Sequence, residues 1–384
     1  MKDYEVVVVG AGLAGLQCAR LLSEQGLRVL LVDRKESLND GVHTTGIFVR
    51  RTLEDFDLPA DCLGPPVRHV TLYSPRRRKL ELESPYNEFR VGRMGQLYHR
   101  MLEQCLRAGV EWWPSTRYAG QSDLENGVLV RLERSDETCL IGTRFVVGAD
   151  GSNSRVARAL GLDRNSEWIV GVEEVLEDVP LNGPPRLHCF LDPKWAPGYL
   201  AWVTQDGEQV HIGVGGYPAR FDPVSALQDF RASLNGLFDL ERAKLVERRG
   251  GRIPVGGVLK RIANTRGLLV GDAAGAVSPL TAGGLDPCMR LSSYAAMVIP
   301  AYLDRGNPEA LAAYSGEMFR SRFVSRLWMR RLISEIRQPA VVEFGCAAMR
   351  LPVLRGLAWH VFFGRGSFPE MEYHPQPQPV MHSP

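Results

Sequence analysis

The sequence lacks paired cysteines. Its seven, Cys18, Cys62, Cys105, Cys139, Cys189, Cys288 and Cys346, are scattered, with no Cys-x-x-Cys and no spacing of the kind metal sites use. A dithiol redox centre and a cysteine-rich zinc site are therefore excluded, no bound metal is expected, and a reducing compartment fits best. There is no run of eighteen apolar residues, so no membrane span is expected. The valines after Glu5 form too short a block for a signal sequence, so the chain is expected to be cytoplasmic. A large net charge is missing as well. Lysine and arginine total 46 against 44 acids, a balance of +2 that gives no global reason to expect a nucleic-acid partner.

What is there is an ordinary globular composition, 45% apolar and 23% charged, in a chain of 384 residues that is long enough for more than one folded unit. Residues 5–10 predict a buried parallel strand, 14–25 a helix closed by Gly26, and 28–32 a second strand, which together make a βαβ unit. Short Val-, Leu- and aromatic-rich runs over 67–84 and 165–217 predict antiparallel strands of a second sheet. Residues 91–108 carry a helical period, and 267–276 read as a buried strand entering a Gly-rich turn. The expected fold is α/β, a Rossmann-like dinucleotide domain over 1–66, 91–164 and 250–307. An antiparallel sheet domain for the substrate would occupy 67–90 and 165–249, followed by a helical region over 308–368 and a disordered tail over 369–384.

Gly10-Ala11-Gly12-Leu13-Ala14-Gly15 follows a predicted strand and opens a predicted helix, the setting that makes a dinucleotide fingerprint meaningful. Gly10 permits the tight turn, Gly12 admits the pyrophosphate, and Gly15 lets helix and strand pack closely; Leu13 and Ala14 bring helix N–H groups to the phosphates. Asp33, with Arg34 beside it, ends the second strand about 20 residues on, where an acid bonds a ribose hydroxyl and disfavours a 2′-phosphate. FAD or NAD is expected, not NADP.

Two later segments decide between them. Val147-Gly148-Ala149-Asp150-Gly151-Ser152 and Gly267-Leu268-Leu269-Val270-Gly271-Asp272-Ala273-Ala274-Gly275 resemble the Asp-Gly and Gly-Asp motifs of the flavoprotein group that includes aromatic hydroxylases and geranylgeranyl reductases. With the first fingerprint, the resemblance covers most of the first 300 residues. It implies bound FAD. Asp272 would accept from the ribityl chain, while Gly271 and Ala274 keep the backbone close to the pyrophosphate. Asp150 either approaches the cofactor or only shapes its turn. Arg93 lies where related flavoproteins carry an arginine facing the cofactor, or is a solvated helix-start residue. The loop after Asp272, through Gly283, Gly284 and Leu285, is expected along the flavin ring edge, with Asp286 as N-cap and Pro287 as first helical residue.

The segment Gly271 to Thr281 is closer to geranylgeranyl reductases than to hydroxylases, and Tyr199 and Trp202 followed by Gly213-Val214-Gly215 resemble the reductases' substrate-domain pattern. Tyr199 is displaced by one place from that pattern, and the loop of His43, Thr44 and Thr45 lacks the cysteine many reductases carry there. Three functions stay open: reduction of carbon–carbon double bonds in an isoprenoid or other hydrophobic substrate, with NADPH or NADH as external reductant; monooxygenation of an aromatic or polyketide-like substrate; or a non-catalytic FAD-binding scaffold or sensor. Tyr199 and Trp202 are the substrate-binding candidates, and His43, Thr44 and Thr45 the catalytic ones. Residues 316–337, six arginines among apolar positions, read as one basic amphipathic helix that either touches an anionic membrane or docks on the protein with a solvated arginine face.

Overall fold

The computed structural model describes residues 3–364 apart from 40, 136, 181, 306 and 307, so the tail expected over 369–384 lies outside the described residues. The strand Asp3–Val9 is valine-rich and buried because it is covered on both faces, as central parallel strands are. It pairs in parallel with Val29–Val32 on one side and Glu137–Gly148 on the other. The parallel core runs Gly267–Leu269, Glu137–Gly148, Asp3–Val9, Val29–Val32, Glu111–Trp113. An antiparallel meander, Thr116–Leu124 with Gly127–Arg134, leads into the long strand Glu137–Gly148.

The helix Leu13–Glu24 joins the first two strands, and Gly26 after it has φ +87°, a left-handed conformation that closes the helix without steric cost. Against this helix packs Leu285–Arg305. Because Val8 is in register with both Val147 and Leu31, the carboxyl ends of the strands finish at one edge of the sheet. Ligands of open α/β sheets bind at that edge.

The second sheet has seven strands in the order Lys244–Pro254, Trp168–Glu177, Val210–Gly216, Ala201–Gln205, Arg186–Phe190, His69–Tyr73, Lys79–Glu83. Its edge strand continues to Pro254, past the boundary expected at 249/250. One pair departs from the antiparallel expectation, since Arg186–Phe190 lies parallel to His69–Tyr73. The two strands come from separate excursions out of the first domain, so no hairpin imposes reversal. One face of this sheet is covered by the helix Pro223–Ser233, with Tyr73, Phe190, Trp195 and Phe230 in the core between them. The alternate residues, Gly171, Trp202, Gly213 and Gly215, face the other way, toward the first domain.

Two readings need correction. Residues 91–108 hold the end of a strand, Phe89–Val91, before the helix Met94–Arg107 begins. The single helix expected over 316–337 is broken into Gly316–Ser321 and Val324–Ser334, and its faces are mixed, with Trp328 and Leu332 exposed and Arg330 buried. Phe319 and Phe323 are buried, and Arg320 turns inward to donate to the carbonyls of Gly256 and Val258. Arg330 likewise donates to the carbonyls of Pro279 and Gly198, and Arg326 to the Ser278 hydroxyl. Loop carbonyls that end no regular ladder need donors, and these arginines supply them. The helices Pro339–Ala348 and Pro352–Phe363 complete the described chain. Among the described residues no helix is long and apolar enough to cross a membrane.

Candidate active site

A cavity of about 590 Å³ lies between the two sheets, at the carboxyl edge of the parallel core. Its lining includes Ala11, Gly12, Leu13 and Ala14 of the first turn and Phe362 and Phe363 of the last helix. That size falls within the range of ligand and cofactor clefts.

The nucleotide end is built by glycines with different tasks. Gly10 has φ +105°, and a Cβ there would sit 2.3 Å from the carbonyl oxygen of Ala149. A Cβ on Gly15 would lie 1.8 Å from the carbonyl oxygen of Gly10, so this glycine sets how closely helix meets strand. Gly12 is the contrary case: a Cβ would meet nothing within 4 Å, because the position opens into the cavity. It caps the helix Leu13–Glu24 without any side-chain hydrogen bond, which leaves first-turn N–H groups for an anion. Asp33 accepts from the N–H of Ala11 at 2.7 Å and of Lys35 at 2.9 Å, bracing the turn from the second strand. Arg34 is exposed and outside the cavity lining.

On the next strand, Gly271 has φ +57° and sits so close to the first helix that a Cβ would be 2.8 Å from that of Ala14. Asp272 follows, facing the cavity, and no protein donor pairs with its carboxylate among the described residues. Burial pushes its acid up to about 6. An acceptor held in a cleft without a partner suits a polyol chain that donates to it. Ala274 is buried behind this turn, outside the lining. The loop returns through a bond from the N–H of Ser278 to the carbonyl of Gly283, and the N–H groups of Gly283 and Gly284 have no protein acceptor among the described residues. With Leu285 they line the cavity. These features fit FAD: uncapped N–H groups for the pyrophosphate, an unpartnered carboxylate for the ribityl hydroxyls, and free N–H groups for a ring edge.

The opposite wall belongs to the second sheet. Trp202 lies flat over Gly213, where a Cβ would come within 2.2 Å of the indole, and Tyr199 lies over Gly215, where a Cβ would be 2.7 Å from its ring. The Gly-x-Gly of this strand thus makes room for two aromatic rings. The Tyr199 hydroxyl donates to the carbonyl of Thr281 at 2.7 Å, tying the sheet wall to the loop that leads to Gly283 and Gly284. The Trp202 N–H donates to Glu173 at 3.2 Å. Thr45 donates to the same carboxylate at 2.5 Å, while Thr44 accepts from the N–H of Gly46 and His43 Nδ1 lies 3.0 Å from the carbonyl of Gly250. Burial lowers the pKa of His43 below the ordinary imidazole value, with the charge of Lys35 acting in the same direction.

Three anticipated positions do other work. Asp150 accepts from the Ser154 hydroxyl and from the N–H groups of Arg155 and Val156, so its carboxylate fastens the start of the helix Arg155–Ala159. Arg93 lies off the cavity and donates to Gln96 and to the carbonyls of Asp61 and Asp206, pairing also with Glu208 at 3.3 Å. Asp286 is inside the helix Leu285–Arg305 and not at its cap; it accepts from Thr52 and Arg290, and Arg290 in turn reaches Asp55.

The sequence reading missed Glu173 and Arg249, which line the cavity, and His211 and Asp206 behind them. One signal was present. His211 interrupts an otherwise apolar, fully buried strand, and a polar residue there requires a partner.

The FAD binding domain family matches residues 3–330. Among curated proteins, the chain is 26% identical over 332 residues to a digeranylgeranylglycerophospholipid reductase of Methanocella arvoryzae, covering 83% of each. It is 29% identical over 357 residues to digeranylgeranylglycerophospholipid reductase 1 of Methanopyrus kandleri, covering 89% of this chain and 94% of that one. Among solved structures, a geranylgeranyl bacteriochlorophyll reductase-like protein of Thermoplasma acidophilum superposes with a TM-score of 0.84 at 20% identity, over 95% of this chain and 97% of that one. A p-nitrophenol 4-monooxygenase of Pseudomonas putida gives a TM-score of 0.71 at 19% identity, over 95% and 100%. The chain therefore belongs to the FAD binding domain family and is an FAD-dependent oxidoreductase similar to the geranylgeranyl reductases.

Proposed function

We propose that this protein reduces carbon–carbon double bonds of an isoprenoid lipid. The observation that carries this reading is the continuity of one cavity from the flavin-edge glycines, Gly283 and Gly284, to an apolar end lined by Leu187, Leu200, Ile333 and Phe362. Bound FAD supplies the two-electron carrier, and NADH or NADPH is the external donor that recharges it. Gly12 and the first helix hold the pyrophosphate, Asp272 the ribityl chain, and the loop through Gly283 and Gly284 the ring edge. Tyr199 and Trp202 bury an apolar chain and exclude water from the reacting carbons. The Methanocella and Methanopyrus relatives, both named digeranylgeranylglycerophospholipid reductases, support the same substrate class.

The test is anaerobic reduction of the flavoprotein followed by addition of prenyl lipids. Reoxidation without oxygen supports alkene reduction. Reoxidation that requires both oxygen and an aromatic compound would replace it with monooxygenation.

A lipid substrate must be reached, and the C-terminal helices offer a face for it. Trp328 (66% exposed) and Leu332 (71%) project outward from the helix that supplies Ile333 to the cavity, Val353 (84%) from the helix that supplies Phe362, and Phe344 (77%) from the helix between them. The exposed arginines Arg331, Arg337, Arg350 and Arg355 belong to the same region. Aromatic and aliphatic side chains among arginines suit the headgroup boundary of an anionic bilayer. Flotation with anionic liposomes should recover the protein, and Trp328→Ser with Phe344→Ser should abolish recovery without loss of flavin. Recovery unchanged by the pair would remove this face from membrane binding.

A further inference from the structure

Behind the wall of the cavity lies a row of acid–base groups that cofactor binding does not require. Glu173 lines the cavity and receives four neighbours. Thr45 Oγ1 donates to its Oε2 at 2.5 Å and Trp202 Nε1 at 3.2 Å, while His211 Nδ1 and Arg249 Nη1 each lie 3.5 Å from Oε1. The other ring nitrogen of His211 is 3.3 Å from Asp206 Oδ2. Asp206 in turn sits in the hairpin turn before Val210–Gly216, its Oδ1 accepting from the N–H groups of Glu208 and Gln209. Glu173, His211 and Asp206 are 3%, 1% and 2% exposed, so bulk water does not compete for these bonds.

We propose that Thr45, Glu173 and His211 form a proton line into the cavity, with Asp206 holding the imidazole in place, and that Thr45 gives the proton that completes alkene reduction. This rests on the reading of the protein as a double-bond reductase. In that reaction the π bond breaks and two C–H bonds form: one carbon takes a hydride, with its two electrons, from reduced flavin, and the other takes a proton. The Thr45 hydroxyl, which hydrogen-bonds to Glu173 at rest, turns toward that carbon and its O–H bond breaks there; Glu173 takes a proton from His211 Nδ1 on Oε1, and rotation of the carboxyl group delivers that proton to the Thr45 oxygen. The imidazole recovers its proton from solvent after product leaves.

The charges around the row favour a proton stored on His211. Burial opposes a charged imidazole, yet the hydrogen bonds and charges of Asp206 and Glu173 outweigh it and lift His211 to about 9. Burial likewise raises Glu173, and His211, Thr45 and Arg249 together bring it below its ordinary value. Arg249 also pairs with Glu247, and Arg93 donates to the carbonyl of Asp206 while pairing with Glu208, so the neighbouring strand and helix add only cations already neutralised by acids.

Thr45→Val removes the hydroxyl at nearly constant volume, and Thr45→Ser restores it. With flavin content as the check on folding, Thr45→Val should slow prenyl-dependent reoxidation of the reduced protein by roughly 100-fold, as loss of a positioned acid does. Thr45→Ser should return most of that rate, and the solvent deuterium effect should grow in the valine variant. Independently of turnover, imidazole NMR of the oxidised, flavin-loaded protein should show one histidine titrating well above the ordinary value, and Glu173→Gln should lower it. Wild-type reoxidation that Thr45→Val leaves unchanged in rate and isotope effect would overturn the proton line. A wild-type protein that no prenyl alkene reoxidises would instead remove the reductase reading, and this one with it.

Discussion

Two carboxylates face the same cavity from opposite walls, and their surroundings could hardly differ more. Asp272, at the end of a parallel strand, has no protein partner among the described residues and is lifted to about 6 by burial. Glu173, on the second sheet, has donors or cations from Thr45, Trp202, His211 and Arg249 and is held below its ordinary value. An unpartnered buried acceptor is costly and persists where a ligand completes it. A fully partnered one belongs to the protein's own network, where it fixes neighbours in place. The first wall is thus shaped for what it binds, and the second for what it holds ready.

The sharpest way to isolate the ligand-shaped wall is Gly12→Val. Nothing in the protein stands within 4 Å of the new Cβ, and the backbone at φ −76° admits valine, so the apoprotein should remain folded. The isopropyl group projects where the pyrophosphate must lie, and the purified variant should carry no stoichiometric flavin by absorbance. Retention of yellow protein would break the assignment of this turn.

Next in size is the partnered wall. Glu173→Gln leaves Arg249 and the charged His211 with less compensation, and denaturant unfolding should show a loss of about 3 kcal/mol. The same network makes stability depend on pH. His211 is raised in the folded protein, so its contribution is complete below about 6.5, the unfolded value, and disappears as pH rises through about 9. The wild type should lose on the order of 3 kcal/mol across that window, and His211→Gln should flatten the profile. A wild-type profile that is already flat would mean that the imidazole carries no stored proton.

Asp272→Asn should have the smallest of these effects and the most specific. A charge-assisted bond is worth roughly 1.5–3 kcal/mol, so FAD affinity should fall about 10- to 100-fold with little change in stability of the apoprotein. Hydroxyl donors favour the ionised carboxylate, so its pKa falls on binding. Affinity for FAD should therefore weaken as pH drops below about 6, and Asp272→Asn should remove that dependence.

The walls differ also in how legible they were from the sequence. Gly10, Gly12 and Gly15 fall within one turn, and Gly271 and Asp272 are adjacent, so the chemistry of the first wall is written in short segments whose spacing carries its meaning. Asp150 shows the limit of this: the motif whose Ala149 and Gly151 line the cavity uses its carboxylate to fasten a helix. The mixed burial of 316–337 shows another. Periodicity found the apolar stripe, but the choice of inward face was made by unpaired carbonyls of Gly198, Gly256, Val258 and Pro279, which no helical pattern contains.

What the sequence alone determined was the βαβ unit, the glycine turn between its first strand and helix, and the FAD binding domain family these motifs belong to, because each depends on residues a few positions apart whose backbone geometry is locally dictated. What only the tertiary structure decided was the second wall. Thr45 and Glu173 are 128 residues apart, and His211 a further 38, so their meeting depends on two sheets closing over one cavity. A contact made by folding leaves in the chain only the trace of a polar residue where an apolar one was expected.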